Sequence, residues 1–499
     1  MVPSAVSAFN SWSGYLEVVE DALRSQHSNA CAENVRKGFQ KMTALMKSKE
    51  GREQLSKIFV LKAPLANITL SYNNIQYFYQ VIYENFQLAT QYNEVNVNPY
   101  KSGYGIKQVC DIMTKGNDDP LTKLQAVNVY MAQLHGDFKY TDNSYDDMIK
   151  YLRREEFDGE NFDSGARSWT WQTCTEFGYY QTTDGGPKGI FGDVTPLSVF
   201  VNMCTDVFGT KFNANYIDAA VRATQTHYGG ADNFMATNVV IPNGSVDPWH
   251  RLGKLVSYYT SVVTYLINAV NTNKKNAMPR ARTTYPKQDE ETAENRILQS
   301  QMVRLPTDTV KSGRITVAEV PTMGPPQTHN YDAKHILAVE THFIRQPFDH
   351  FNSEDNRTFK QKYYKNDEWA KPNGPMFLLI GGESPLGPMW VKGFGMFHQK
   401  LAEKLGATVF ALEHRYYGDS VVGGTATDPN PDLTYLSSLQ ALSDVANFIR
   451  TMDAKMNKTS KWITFGGSYA EYLEVVERSF RRYQPQCADN IAKSLFIGS

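Results

Sequence analysis

The sequence predicts an α/β protein in which a helix-rich region comes first and a region of alternating strands and helices comes last. Three observations carry this. Residues 1 to about 215 read mostly as helices and loops, rich in Tyr, Phe and Gln. From Tyr331 onwards, apolar runs of strand length alternate with helical periodicity, the pattern of a parallel sheet. Third, Tyr15-Leu16-Glu17-Val18-Val19-Glu20 returns as Tyr472-Leu473-Glu474-Val475-Val476-Glu477, and Cys31-Ala32-Glu33-Asn34 faces Cys487-Ala488-Asp489-Asn490 with one residue of slippage. The repeat spacing is that of a whole protein, far too long for a solenoid. The chain therefore reads as the back part of one module followed by the front part of a second, similar module.

The elements follow in order. Cys31 to Lys49 and Pro120 to His135 have helical spacing. Asn238-Val239-Val240-Ile241-Pro242 is a short apolar run ending in a turn, which reads as a buried strand. Between Asn271 and Asn330, six prolines and many charges accumulate with little apolar periodicity, as expected of a linker or surface excursion. Met376 to Ile380 is an apolar strand closed by Gly381-Gly382, Met396 to Leu405 a helix, and Ala407 to Leu412 a second buried strand. Thr434 to Thr451 is helical, and Trp462 to Phe465 is a strand running into Gly466-Gly467-Ser468. The expected divisions are 1–215, 216–270, 271–330, 331–470 and 471–499.

Composition narrows the class. The chain has 499 residues, 41% hydrophobic and 21% charged, which excludes a mainly disordered or collagen-like protein. At roughly 150 residues per domain, about three domains are expected, or one large and one small. Lys+Arg is 51 against Asp+Glu at 52, so net charge offers no case for nucleic acid or an anionic membrane. No apolar run approaches the ~20 residues of a membrane helix. The opening residues Met1 to Ser7 lack a basic stretch and a long apolar core, so no signal peptide is expected. Five cysteines occur: Cys31, Cys110, Cys174, Cys204 and Cys487. Four in one block permit three pairings, among which sequence does not choose. No Cys/His spacing suggests zinc. Sequons stand at Asn67, Asn243, Asn356 and Asn457, and with the cysteine block they lean towards a secretory-pathway origin.

Gly466-Gly467-Ser468-Tyr469-Ala470 after an apolar strand fits the nucleophile elbow, with Ala470 as a small replacement for the last glycine. Such a turn lifts a serine hydroxyl above the sheet, and the backbone N–H after it can stabilise an oxyanion. Gly381-Gly382-Glu383 stands where this arrangement places a second oxyanion donor; on its own it reads as a strand-ending turn.

A wider set of motifs then identifies a family. Gln346-Pro347-Phe348-Asp349-His350-Phe351-Asn352, Ile380-Gly381-Gly382-Glu383, Leu412-Glu413-His414-Arg415-Tyr416-Tyr417-Gly418-Asp419-Ser420, Tyr435 to Leu442 and Gly466-Gly467-Ser468-Tyr469 resemble the S28 family of serine peptidases, which includes lysosomal Pro-Xaa carboxypeptidases, dipeptidyl-peptidase II-type enzymes and thymus-specific serine proteases. Trp171 to Gly178 resembles the family's cap segment, and Asn243 to Gly253 its acid motif. The resemblance covers nearly everything except 271–330. It implies α/β-hydrolase core pieces with a helical cap of the SKS type, here in permuted order. Ser468 maps onto the nucleophile and Asp247 onto the acid, with the Tyr469 and Gly382 N–H groups as oxyanion donors. It also implies a peptide substrate, proline-directed exopeptidase action, no cofactor or metal, a secreted or lysosomal location, and room for a homodimer.

Three departures stand against that pattern. Ser468 follows Asp247 in the chain, the reverse of the family order. The triad histidine is missing: none occurs between His250 and His329, while His250 and His414 read as structural. The residues after Ser468 carry Glu471, Glu474, Glu477, Arg478, Arg481 and Arg482, a solvated helix rather than an elbow helix. A central strand is absent as well. Pairing of 331–470 with 1–270 into one hydrolase would bring Ser468 near Asp247, with the histidine still lacking. The alternative expectation is a catalytically dead homologue or a mis-joined fusion of two tandem genes.

Overall fold

The computed structural model describes residues 9–11, 13–66, 72–93, 105–134, 136–154, 165–183, 189–230, 239–253, 262–267, 339–393, 396–423, 432–456 and 461–470. Residues 1–270 and 322–499 form one compact unit, and the expected linker, 271–330, lies outside the described residues. The second copy of the repeat and Cys487 also lie outside them.

The first region is helical. It runs α1 (Gly14–Gln26), α2 (Asn29–Met46), α3 (Lys49–Ile58), α4 (Tyr72–Gln91), α5 (Ile106–Thr114), α6 (Pro120–Gln133), α7 (Tyr145–Leu152), α8 (Ala166–Gln172), α9 (Leu197–Phe208) and α10 (Ala214–Tyr228). Polar caps set the starts. Ser28, Ser48, Asp119, Ser144 and Asn213 each accept a first-turn backbone N–H, and Pro120 opens α6. Ser48 also explains why the helix expected over Cys31 to Lys49 stops early. It is extended at φ −115° and starts a new helix, and Gly51 lets the two pack, since a Cβ there would lie 2.0 Å from the Leu45 carbonyl oxygen.

Two disulfides select one of the three pairings. Cys31–Cys110 ties α2 to α5, and Cys174–Cys204 ties the π-turn Thr173–Phe177 to α9. A short parallel pair, β1 (Phe9–Ser11) with β2 (Gly178–Tyr180), precedes a second parallel pair, β3 (Val239–Gly244) with β4 (Val262–Ile267).

The last region is a five-stranded sheet in the order β5-β6-β8-β7-β9, with β5 (Thr341–Pro347), β6 (Thr358–Asn366), β7 (Met376–Ile380), β8 (Thr408–Leu412) and β9 (Trp462–Phe465). The β5/β6 and β6/β8 pairs are antiparallel; β7 pairs in parallel with both β8 and β9. Helix α11 (Phe397–Leu405) joins β7 to β8, and α12 (Ser438–Met456) precedes β9. Every residue of β7 and β8 is buried, which is why both read as unbroken apolar runs. Alternate side chains serve opposite faces: Leu378 and Phe410 pack with Phe448 of α12, whereas Phe377 and Val409 pack with Ala402 of α11.

The two regions share one core. A single apolar cluster runs from Tyr15 and Val19 of α1 through Phe177 to Phe448, Tyr469 and Ala470. Polar contacts cross the same boundary. The Ser168 hydroxyl donates to the Tyr416 carbonyl at 3.2 Å, the Tyr417 hydroxyl to Gln172 at 2.5 Å, and Ser438 donates its N–H and hydroxyl to the Glu176 carboxylate at 2.7–3.1 Å. Among the described residues no ladder joins β9 to β3 and β4.

Candidate active site

Strand β9 ends at Phe465, and two glycines later Ser468 takes φ +59°. A non-glycine residue in the left-handed region costs roughly 1–2 kcal/mol, so this turn is strained in the manner of a nucleophile elbow. The turn closes with Ala470 N–H donating to the Gly467 carbonyl at 3.2 Å. Gly382, after β7, lies against it: a methyl there would stand 3.7 Å from Ala470 Cβ and 3.9 Å from the Gly467 oxygen. Its neighbour Gly381 is fixed by packing, since a Cβ would meet the Leu412 oxygen at 2.8 Å. The strand-ending glycines therefore lie against the turn that carries Ser468.

The Ser468 hydroxyl donates to Glu383 Oε1 at 2.8 Å. Burial raises the Glu383 carboxyl above its ordinary range, opposed by the Ser468 hydroxyl and its own backbone. Tyr469 is buried among Phe177, Trp169 and His414, with ring centroids 5.3, 5.8 and 5.3 Å away.

Asp247 follows β3 in a turn closed by its N–H on the Gly244 carbonyl at 3.1 Å. It caps the 3₁₀ turn Pro248–Leu252, accepting the Trp249 N–H on Oδ1 at 3.1 Å. Oδ2 is buried and has no hydrogen-bond partner among the described residues. Burial pushes this carboxyl up to about 7, with the Trp249 N–H opposing.

An aromatic chain connects the acid turn to the elbow. Trp249 meets Tyr179 edge-on at 5.5 Å, Tyr179 stacks on Phe177 at 5.5 Å, and Phe177 meets Tyr469 at 5.3 Å. Trp249 Nε1 and the Tyr15 hydroxyl both donate to Gln91. The adjacent Tyr92 has its hydroxyl pKa raised by burial and then by both Glu383 and Asp247, so the two carboxyls act on one side chain.

The described histidines lie elsewhere. His250 Nδ1 faces the Asp247 main-chain oxygen at 2.6 Å, not its carboxylate, and burial lowers its pKa. His414 Nδ1 faces the Arg415 oxygen at 2.6 Å, and Nε2 lies 3.2 Å from the Tyr469 hydroxyl; burial brings it down to about 4, so it is neutral. Neither ring hydrogen-bonds Ser468 or the Asp247 carboxylate among the described residues. His135, His329 and His335 lie outside the described residues. Among the described residues no histidine hydrogen-bonds Ser468, and no cluster of His, Cys, Asp and Glu could hold a metal.

The Glu413 to Ser420 motif is scaffold. Glu413 accepts from Leu386 N–H, Asp419 N–H, the Ser420 hydroxyl and Lys362 Nζ at 2.7–3.0 Å, which pins the loop after β8. Sequence reasoning missed Glu383 as the partner of Ser468 and Glu176 as the acceptor of Ser438. The only signal for Glu383 was its place after Gly381-Gly382. The sequon at Asn243 is corrected: the side chain is fully buried beneath the acid turn, whereas Asn356 is exposed. Asn67 and Asn457 lie outside the described residues, as does the helix expected after Ala470.

A family model described as serine carboxypeptidase S28 matches residues 3–284 and 346–470. A putative serine protease of Caenorhabditis elegans is 34% identical over 258 residues, covering 51% of this chain and 49% of the relative. The thymus-specific serine protease of Mus musculus is 44% identical over 134 residues, 26% of each chain. The lysosomal Pro-X carboxypeptidase of Mus musculus is 28% identical over 191 residues, covering 30% of this chain and 38% of the relative. The chain spans about half the length of the first two curated relatives it matches, and less of the others. With both matched stretches together taking in most of its residues, the chain belongs to the serine carboxypeptidase S28 family.

Proposed function

We propose that this chain is a serine exopeptidase acting next to proline in small peptides, with one site assembled from its two regions in permuted order. Ser468 is the nucleophile, Asp247 the acid, and the Tyr469 and Gly382 N–H groups the oxyanion donors. Residues 1–215 act as the helical cap over the substrate, and 216–270 and 331–470 supply the hydrolase core. The observation that carries the reading is Ser468 at φ +59° on the turn after β9, with Gly382 packed against it. The substrate is a peptide, and a lysosomal or secreted location suits the family. No helix among the described residues is long and apolar enough to cross a membrane.

A fluorophosphonate probe tests this. Labelling of the full chain, abolished by Ser468→Ala, together with cleavage of proline-containing peptides from one end, is the expected result. Release of a C-terminal residue after proline marks a carboxypeptidase; release of an N-terminal dipeptide marks a dipeptidyl-peptidase.

A second reading has its own observation. The Ser468 hydroxyl is engaged with Glu383, and Asp247 Oδ2 has no described partner. On that reading the chain is a catalytically dead S28 homologue, or a mis-joined fusion, that binds peptides without cleaving them. Peptide binding without probe labelling is its signature.

A further inference from the structure

We propose that Glu176 is a pH-dependent latch between the helical region and the sheet region, closed in acid and loosened above neutral pH. The inference stands apart from the reading of Ser468 as the nucleophile. It rests on where the Glu176 carboxyl sits. Ser438, fully buried at the start of α12, donates its N–H to the two carboxyl oxygens at 3.1 and 3.0 Å and its hydroxyl to Oε1 at 2.7 Å. These bonds cross the boundary and join residues 262 positions apart.

Both halves of the latch are held in place. Glu176 lies in the π-turn Thr173–Phe177, which the Cys174–Cys204 disulfide ties to α9, and Phe177 of the same turn packs on the Tyr469 ring at 5.3 Å. On the other side, the Ser437 hydroxyl accepts the Gln440 N–H at 3.3 Å, so α12 carries a cap of its own and leaves the Ser438 N–H to the carboxyl. The Tyr228 hydroxyl, from α10, lies 2.8 Å from the Ser438 hydroxyl oxygen.

The pH dependence follows from what surrounds the carboxyl. The titratable groups facing it are phenols: Tyr228 of α10, Tyr179 of β2, Tyr417 after β8 and Tyr469 after β9. Burial raises each of these hydroxyls, and Glu176 adds to the rise in all four. His414, against Tyr417 and Tyr469, is neutral. Among the described residues no lysine, arginine or histidine contributes to the Glu176 carboxyl. Burial raises it to about 7, and the Ser438 hydroxyl and N–H oppose without a countercharge. Between the ordinary value of 4.5 and about 7, the closed joint therefore holds a proton that the opened joint releases. The latch is at full strength below about 4.5 and is lost as pH rises through 7. A neutral carboxyl sits among phenols at no great cost; an ionised one favours parting of the two regions, where water reaches it.

The test is hydrogen–deuterium exchange of the full chain from pH 5 to 8, in the parent, Glu176→Gln and Ser438→Ala. It is read as protection of residues 166–180 and 436–445 after correction for the intrinsic pH dependence of exchange. Gln accepts the same two Ser438 donors but does not titrate. The contribution of Asp247 is common to both proteins, so the difference between them isolates Glu176. Protection in the parent is expected to fall at least tenfold further than in Glu176→Gln across this range, since each pH unit between the two carboxyl values is worth up to tenfold. Falls that agree within about 3-fold would overturn the latch and leave Glu176 a plain hydrogen-bond acceptor. Should Glu176→Gln not fold, Ser438→Ala decides. The Ser438 hydroxyl holds the Glu176 carboxyl down, so its removal should move the loss of protection to higher pH. A midpoint that stays in place or moves down would overturn the proposal.

Discussion

Asp444 in the sheet region and Asp247 at the acid turn are both buried aspartates, and they are held in opposite ways. Around Asp444 every oxygen is used. Oδ2 accepts from Arg415 Nε at 2.6 Å, while Oδ1 accepts from Arg415 Nη2 at 2.8 Å and faces His350 Nε2 at 2.7 Å. Burial alone would raise this carboxyl, but the Arg415 charge and then the hydrogen bonds from Arg415 and His350 hold it below its ordinary value. Arg415 is itself saturated by the Phe348, Tyr435 and Pro347 carbonyls. Asp247 has one backbone donor and, among the described residues, one oxygen without a partner, and burial pushes its carboxyl up to about 7. The difference is one of satisfaction: the Asp444 charge is neutralised where it stands, whereas Asp247 keeps an oxygen without a partner among the described residues.

The largest effect should come from breaking the saturated carboxyl. Asp444→Asn strands a fully buried Arg415 guanidinium and should destabilise the protein by about 3–5 kcal/mol in urea unfolding. A loss below about 1 kcal/mol would mean that the sheet region is not anchored there. The two regions also differ in their staples. Both described disulfides lie in the helical region, and replacing Cys174 and Cys204 by Ser should cost about 2–4 kcal/mol. An unchanged unfolding midpoint would refute that bond's role.

Asp247→Asn should act in the opposite sense. Because the folded carboxyl titrates near 7 and the unfolded one near 3.8, the folded state binds more protons between those values. Its contribution is therefore fully present below about 4 and is lost as pH rises through 7. The Asn variant should match the parent at low pH and exceed it at pH 8 by on the order of 2–4 kcal/mol. Parallel stability profiles for the two proteins would break the contrast with Asp444. The smallest effect belongs to Gly382→Ala, whose methyl meets only ordinary contacts and should cost less than about 0.5 kcal/mol. Gly381→Ala, facing backbone at 2.8 Å, should lose far more, and equal losses would show that the elbow does not sit against Gly382.

Much of the fold was legible. Strands β7, β8 and β9 lie within a residue of their apolar runs; β7 and β8 are buried on both faces, which leaves a plain signal, and β9 is half-buried. The turn at Ser468 was legible as small residues directly after an apolar run. Less legible was the split at Ser48, where a cap and a glycine contact outweigh helical periodicity. The disulfide pairing was not legible, since it depends on which helices lie side by side. Glu383 was not legible as a partner of Ser468 because 85 residues separate them.

By itself, then, the sequence determined the family and the helical and sheet regions, and it singled out Ser468 and Asp247 as candidates. Those are properties of local pattern and motif. The tertiary structure alone decided that residues 1–270 and 322–499 share one core, that an aromatic chain from Trp249 to Tyr469 spans them, and that Ser468 meets a carboxyl rather than an imidazole. Such contacts join residues tens to hundreds of positions apart. They are fixed by the burial of apolar faces against each other and by the demand that buried polar groups find partners, neither of which is written in any local stretch of chain.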